Sequence, residues 1–255
     1  MPATSDANVY VYGVLSGSEQ AAVSVGGVED AEVRTVEHAG LAALVSTLEA
    51  DSLAAAKEVR NHWRVLEEAS KSATVLPVRF GTVMEGDAAV RERLLAPNAE
   101  RLSELLGELA GRVQLNVKGD YDEDRLLREV VRESPAIAAL RERVAGLSET
   151  AGYYDRIRLG ELVAAQVARH REQDEALALA RLEPSAVSAR AEAPSSANTA
   201  FNLAFLVEAG KVDSFSQVVG ALREELGERV ELRYVGPLPP YSFADAEVTT
   251  GAAWA

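Results

Sequence analysis

Three prolines within four positions, Pro237, Pro239 and Pro240 in the string GPLPPYSF, constrain this chain more than any other feature. Each locks its own φ and has no amide hydrogen, so residues 236–240 can form neither a helix nor an inner strand. The expected path is extended and polyproline-like, ending on Tyr241 and Phe243, which it delivers to a surface. A second string, VLPVRFGTV at 75–83, again specifies main-chain geometry with Pro77, Arg79, Phe80 and Gly81. It reads as a strand that Pro77 places at an edge or bulge and Gly81 kinks. Arg79 has two readings: it pairs with an acidic group or clamps a turn, or it lies exposed with its stem over its neighbours. Tyr241 and Phe243 likewise either dock the tail onto the first domain or an interdomain groove, or meet a partner.

Around these strings the chain falls into two similar halves. Residues 9–15 read as a strand, 18–25 as a weak helical stretch, and 33–48 as a hairpin turned at Gly40. A helix follows from a cap at Asp51 or Ser52 to about residue 72, with the stripe Leu53, Ala56, Val59, Trp63, Leu66 and Ala69. Residues 74–83 return as a strand. A helical connection covers 87–110, interrupted at Pro97, with the stripe Leu102, Leu105, Leu106 and Leu109. The second half opens on a strand at 112–118. Helices at 122–132, after Ser134-Pro135, and at 153–181 come next, then strands at 186–193 and 199–207. A helix with a capping box at Ser214 and Gln217 precedes a last strand at 229–235.

Both halves therefore read βαββαβ, the ferredoxin-like order, and the fold class is α+β. The expected domains are an N-terminal ferredoxin-like one at 1–86, a helical connection at 87–110, a second α+β domain at 111–235 with an enlarged helical insertion, and an extended Pro-rich tail at 236–255.

No pattern of reactive side chains emerges. The three histidines, His38, His62 and His170, lie far apart and read as surface or partly buried. No nucleophile elbow and no phosphate loop is present. DYDEDR at 120–125 lacks the central glycine and terminal glutamate of a calcium loop and reads as an acidic helix cap. Phe201 and Phe205 share a strand face, but FNLAFLVE is apolar and acidic, so they read as core and not as an RNA platform. No catalytic residue, metal site or cofactor is expected.

The formal charge of −14 opposes binding to nucleic acid or anionic lipid. With no cysteine there are no disulfides or thiolate sites, which suits a cytoplasmic protein. The polar start predicts no signal peptide, and no apolar run is long enough to span a bilayer. Aromatics are only 5% of the chain, so the cores must rest on Val, Leu and Ala.

VLPVRFGTV and GPLPPYSF, together with NVYVYGV at 8–14 and FNLAFLVE at 201–208, occur in an order that resembles the gas vesicle protein F/L (GvpF/GvpL) family. The resemblance implies two α+β domains and no enzymatic activity. It implies an accessory protein or minor component of gas vesicle assembly, cytoplasmic or vesicle-associated. Its partner would be the small hydrophobic shell subunit (GvpA-type) and further accessory proteins, with aggregation or nucleation of that subunit under its control. The alternative from topology alone is a ferredoxin-like small-ligand-binding or regulatory module without catalysis. An acidic exterior suits a carrier of an aggregation-prone subunit, which must itself stay in solution.

Overall fold

The computed structural model describes residues 7–49 and 56–244, so the expected cap at Asp51 or Ser52, and Leu53, lie outside the described residues. The chain forms two compact units. One takes the residues up to Gln114 together with those from Pro237, and the other is Leu115–Gly236.

The first unit is built on β1 (Val9–Ser16), β2 (Arg34–His38), β3 (Leu41–Thr47) and β4 (Val75–Pro77), in the sheet order β2-β3-β1-β4, with β5 (Val83–Met84) also paired to β1. Pairing is antiparallel for β1 with β3, β4 and β5, and for β2 with β3. The β2–β3 turn has positive φ at both Ala39 and Gly40, as a two-residue hairpin turn of type I′ requires. β1 is buried on both faces from Val9 to Leu15, so two layers must cover it. One is α1 (Ala56–Ala69), packed over Tyr10, Tyr12, Leu15 and Leu44. The other comes from residues 86–109: α2 (Gly86–Ala89), a π-helical turn at Val90–Leu95, a 3-10 turn at Ala96–Asn98, and α3 (Ala99–Leu109). That segment, read from sequence as a connection, packs on β1 through β4 within the first unit. Its stripe of Leu102, Leu105, Leu106 and Leu109 is buried there.

A bulge between Val11 and Gly13 puts Tyr12 opposite no single partner in β3. Tyr12 and Gly13 then face α1 in succession. A Cβ on Gly13 would lie 2.8 Å from the Leu76 carbonyl oxygen and 3.0 Å from Leu66 Cδ2.

The weak helix expected at 18–25 is not formed, and among the described residues the only helical turn before β2 is a 3-10 turn at Val28–Asp30. Ala21, Val23 and Val25 alternate against the core, which is the spacing of extended chain. The backbone donors of this stretch go to side chains instead of to a helix. Ala22 N–H donates to Ser72 Oγ (3.1 Å), Val25 N–H to Glu68 Oε2 (3.2 Å), and Val28 N–H to the Tyr12 hydroxyl (2.7 Å).

The second unit carries β6 (Arg112–Tyr121), β7 (Ser188–Ala191), β8 (Thr199–Glu208) and β9 (Val230–Leu238) in the order β7-β8-β6-β9. Between β6 and β7 lie α4 (Glu123–Glu133), α5 (Pro135–Ala145) and α6 (Tyr153–Leu182), and α7 (Val212–Leu226) joins β8 to β9. Asp122, within the acidic stretch read as a helix cap, and Ser134, at the Ser-Pro pair that opens the next helix, cap α4 and α5, each accepting from the backbone N–H three residues on. The capping box at Ser214 does not form. α7 begins two residues earlier, and Ser214 Oγ donates to the Lys211 carbonyl from inside the helix. Phe201 and Phe205 are core residues, 2% and 0% exposed.

β9 runs on through Gly236 and Pro237 at the edge of its sheet, where a missing amide hydrogen is tolerated. The extended path expected for the whole string ends at Leu238. Tyr241–Phe243 is a 3-10 turn, in which Tyr241 N–H donates to the Pro239 carbonyl and Phe243 N–H to that of Pro240. Prolines are compatible with this turn because they serve only as acceptors in it.

Candidate functional site

In the first unit the two proline-containing strings meet on opposite sides of one histidine. His62, on α1, is 1% exposed. Its Nδ1 lies 2.9 Å from the Tyr10 hydroxyl, and its Nε2 lies 2.8 Å from the Tyr241 hydroxyl. Tyr10 already accepts from Gly81 N–H at 3.1 Å, so its own proton is free for Nδ1. That assignment leaves Nε2 as the N–H that donates to Tyr241. The ring stacks against Tyr12 at 5.7 Å and meets the edge of Phe80 at 5.6 Å.

The electrostatics follow from enclosure. Burial pushes the pKa of His62 down to about 4, with the Val78 backbone working weakly the other way, so the imidazole is neutral. Burial likewise raises the pKa of Tyr10, Tyr12 and Tyr241. Two neutral phenols around a neutral imidazole make a satisfied network whose work is to hold main chain. Through Tyr10 it holds the turn at Gly81, and through Tyr241 the C-terminal segment.

Pro77 ends β4 opposite Gly13. Val78 N–H then donates to the Tyr12 carbonyl, bridging the bulge. Phe80 is half-buried, and Gly81 has φ +91°, the left-handed value that favours glycine. The Thr82 carbonyl accepts from Val11 N–H, so the chain rejoins β1 at once. Arg79 is exposed, and its guanidinium has no hydrogen bond or ion pair among the described residues.

In the other string, Pro237 is exposed, Pro239 and Pro240 are buried, and Phe243 is 8% exposed. The Tyr241 ring lies 4.1 Å from that of Trp63. A further clamp comes from Gln114, whose Oε1 accepts from Ser242 N–H (2.8 Å) and whose Nε2 donates to Ser242 Oγ (2.9 Å).

Sequence patterning gives Tyr10, Tyr12, His62 and Gln114 no role in a site, and it places Trp63 only on an apolar stripe. It took Val59 and Trp63 for core, whereas they are 37% and 42% exposed, and α1 buries Glu58, Asn61, His62, Val65, Leu66 and Ala69. The signal available was the pair Tyr10 and Tyr12 on one strand face, since buried phenols need partners.

A second buried polar cluster lies in the second unit. Arg229 donates to both oxygens of Glu129 and to Asp174, and the Tyr121 hydroxyl donates to Asp174 Oδ2. His170, read from sequence as surface or partly buried, is 5% exposed and sits 3.1 Å from Glu133. Burial opposes the Arg229 charge, but Glu129 and Asp174 more than offset it and its pKa rises. The cluster ties α4, α6 and β6 to the start of β9. Among the described residues no group of three or more His, Asp or Glu side chains is placed to hold a metal ion, and no helix is long and apolar enough to cross a membrane.

Comparison with known proteins places this architecture. The family model described as gas vesicle synthesis protein GvpL/GvpF matches residues 8–245. Gas vesicle protein F from Streptomyces sp. (strain CB03234) is 34% identical over 93% of this chain and 100% of its own length. The crystal structure of GvpF from Anabaena sp. PCC7120 superposes with a TM-score of 0.82 at 27% identity, covering 94% of this chain and 99% of that one. That of GvpF from Microcystis aeruginosa gives 0.78 at 25% identity, covering 94% and 100%. With the family model spanning nearly the whole described chain, this protein belongs to the gas vesicle synthesis protein GvpL/GvpF family.

Proposed function

We propose that this chain is a non-catalytic, cytoplasmic assembly factor that binds the small hydrophobic gas vesicle shell subunit and keeps it from unproductive aggregation during nucleation. The observation that carries the reading is membership of a gas vesicle synthesis family from residue 8 to residue 245. The physical match is a carrier with a strongly acidic exterior, net −14, and limited exposed apolar surface. We place shell-subunit contact on the first unit, near Arg79 and Phe80, because the turn there is fixed from behind by Tyr10 while its side chains remain accessible. Pro77, Gly81, Pro237, Pro239, Pro240, Tyr241 and Phe243 then serve to hold that surface in shape.

Both units are read as variants of the ferredoxin-like plan. The support is that each sheet has the order second-third-first-fourth when its four main strands are counted along the chain. The first unit replaces one crossover helix by extended chain, and the second expands it to three helices.

A small-ligand-binding module is the competing reading. One observation favours it, a cavity of about 300 Å³ in the first unit lined by Ser16, Ser18, Glu19, Thr74 and Leu106, among others. Co-expression with a shell subunit decides between them. Under the assembly reading the subunit is recovered soluble and co-purifies with this chain. A shell subunit that stays insoluble and unbound rejects that reading.

A further inference from the structure

We propose that the solvent face of α1 around Trp63, flanked by Arg60, Arg64 and Arg79, is a docking surface for an acidic protein segment that sets an apolar side chain beside carboxylates. This rests on the assembly reading in one respect: the segment is taken to belong to the shell subunit.

Val59 and Trp63, one helical turn apart, are 37% and 42% exposed, although α1 has a well-formed buried face on its other side. Tyr241 extends the apolar area with its ring against Trp63, and Phe80 adjoins it across His62. The anchor is rigid, because α1 is fixed from beneath by His62 and Tyr241 is fixed by the Gln114–Ser242 clamp. Pre-ordered aromatic side chains lose little freedom on binding, and Trp, Tyr and Arg dominate interface energetics.

Charge identifies the occupant. Arg60 and Arg64 flank Trp63 on the exposed face, and Arg79 precedes Phe80; among the described residues none of the three has a hydrogen bond or ion pair. The other arginines of this unit are engaged. Arg34 meets Asp87, Arg93 meets Glu85, Arg101 meets Glu104, and Arg91 and Arg112 donate to the carbonyls of Glu37 and Glu108. Arg60 and Arg64 thus stand beside Trp63 on α1, and Arg79 next to Phe80, with no partner among the described residues, in a chain whose net charge is −14. Glu67, one turn further along α1, is a carboxylate on the same face. A local cationic and aromatic patch on an acidic body complements a short acidic and apolar segment. It suits a long polyanion poorly, because the rest of the surface repels it.

The test uses the full chain co-expressed with a shell subunit, capture being read as soluble subunit bound per molecule. One variant carries Arg60→Glu, Arg64→Glu and Arg79→Glu. A control carries Arg128→Glu, Arg141→Glu and Arg158→Glu, exposed arginines of the second unit, and so has the same net charge. Thermal unfolding confirms that both fold, and Trp63→Ala tests the anchor separately. The expected result is capture weakened roughly tenfold or more by the first variant and by Trp63→Ala, with the control like the wild type. Undiminished capture by the first variant overturns the docking surface and leaves the assembly reading standing. Equal loss in the control overturns it too, by reducing the effect to overall charge. A wild-type chain that captures no subunit overturns both. Wild-type retention on heparin or on phosphatidylglycerol vesicles, lost in the first variant, would reassign the patch to a polyanion and overturn the proposal.

Discussion

The Nε2 of His62 lies 2.8 Å from the hydroxyl of Tyr241, a hydrogen bond that joins α1 to a residue 179 positions later in the chain. Tyr241→Phe deletes the acceptor and leaves a buried N–H without a partner. The expected cost is about 1–2 kcal/mol, seen as a fall of a few degrees in Tm. Ending the chain after Leu238 also removes the Ser242 clamp and Phe243 and should cost more. An unchanged Tm with lost partner capture would instead make the segment a recognition arm.

His62 also makes stability depend on pH. In the unfolded chain it takes up a proton below its ordinary value near 6.5, but in the folded protein only below about 4. Between those values the unfolded state binds more protons, so stability is complete above about pH 6.5 and falls as pH drops toward 4. The full contribution is roughly 3 kcal/mol. His62→Gln keeps a donor and an acceptor without titrating. Urea unfolding at about pH 7.5 and pH 4.5 should show the wild type losing more stability than this variant, and equal losses would refute the assignment.

Gly81→Ala tests the turn. At φ +91° a Cβ is strained whatever the space around it, and none of its neighbours lies within 4 Å. The expected loss is about 1–2 kcal/mol. Gly107→Ala, in the last turn of α3 with equally open surroundings and no positive φ, should instead be neutral or slightly stabilising.

Asp174→Ala tests the cluster in the second unit. It strips Arg229 and the Tyr121 hydroxyl of a shared partner in a site where the Asp174 side chain is only 5% exposed. Breaking a buried pair from one side costs about 3 kcal/mol or more. Far-ultraviolet circular dichroism during chemical unfolding measures it. A loss below about 1 kcal/mol would show that Glu129 alone suffices.

The chain's regular elements were readable where apolar spacing and turn chemistry agreed. The Gly40 hairpin, the Asp122 and Ser134 caps and the leucine stripe of α3 are cases in point. The reading failed where polar residues do the work of the core. On α1 the apolar period correctly includes Leu66 and Ala69 but also selects the exposed Val59 and Trp63, while Glu58, Asn61 and His62, which a hydrophobicity pattern scores as surface, are buried beside Val65. The stretch 18–25 was misread for a related reason. Its donors are satisfied by Ser72 and Glu68, some fifty and forty-three residues away, and nothing local announces them. Of the site, Pro77, Gly81 and the proline string were visible because they shape main chain. Tyr10, His62 and Gln114 were invisible because only the fold brings them to Gly81, Tyr241 and Ser242.

The first unit is assembled from two stretches of sequence, with Leu115–Gly236 spliced between Gln114 and Pro237. Synthesis on the ribosome runs in one direction, so the second unit is complete before the segment that finishes the first has been made. Until then the nascent first unit has α1 and β4 but no Tyr241, and the Nε2 side of His62 and the inner flank of Trp63 stand uncovered. Closure waits for a contact of very long sequence separation, the slow kind. During that interval the unfinished unit presents a more apolar surface than the finished protein does.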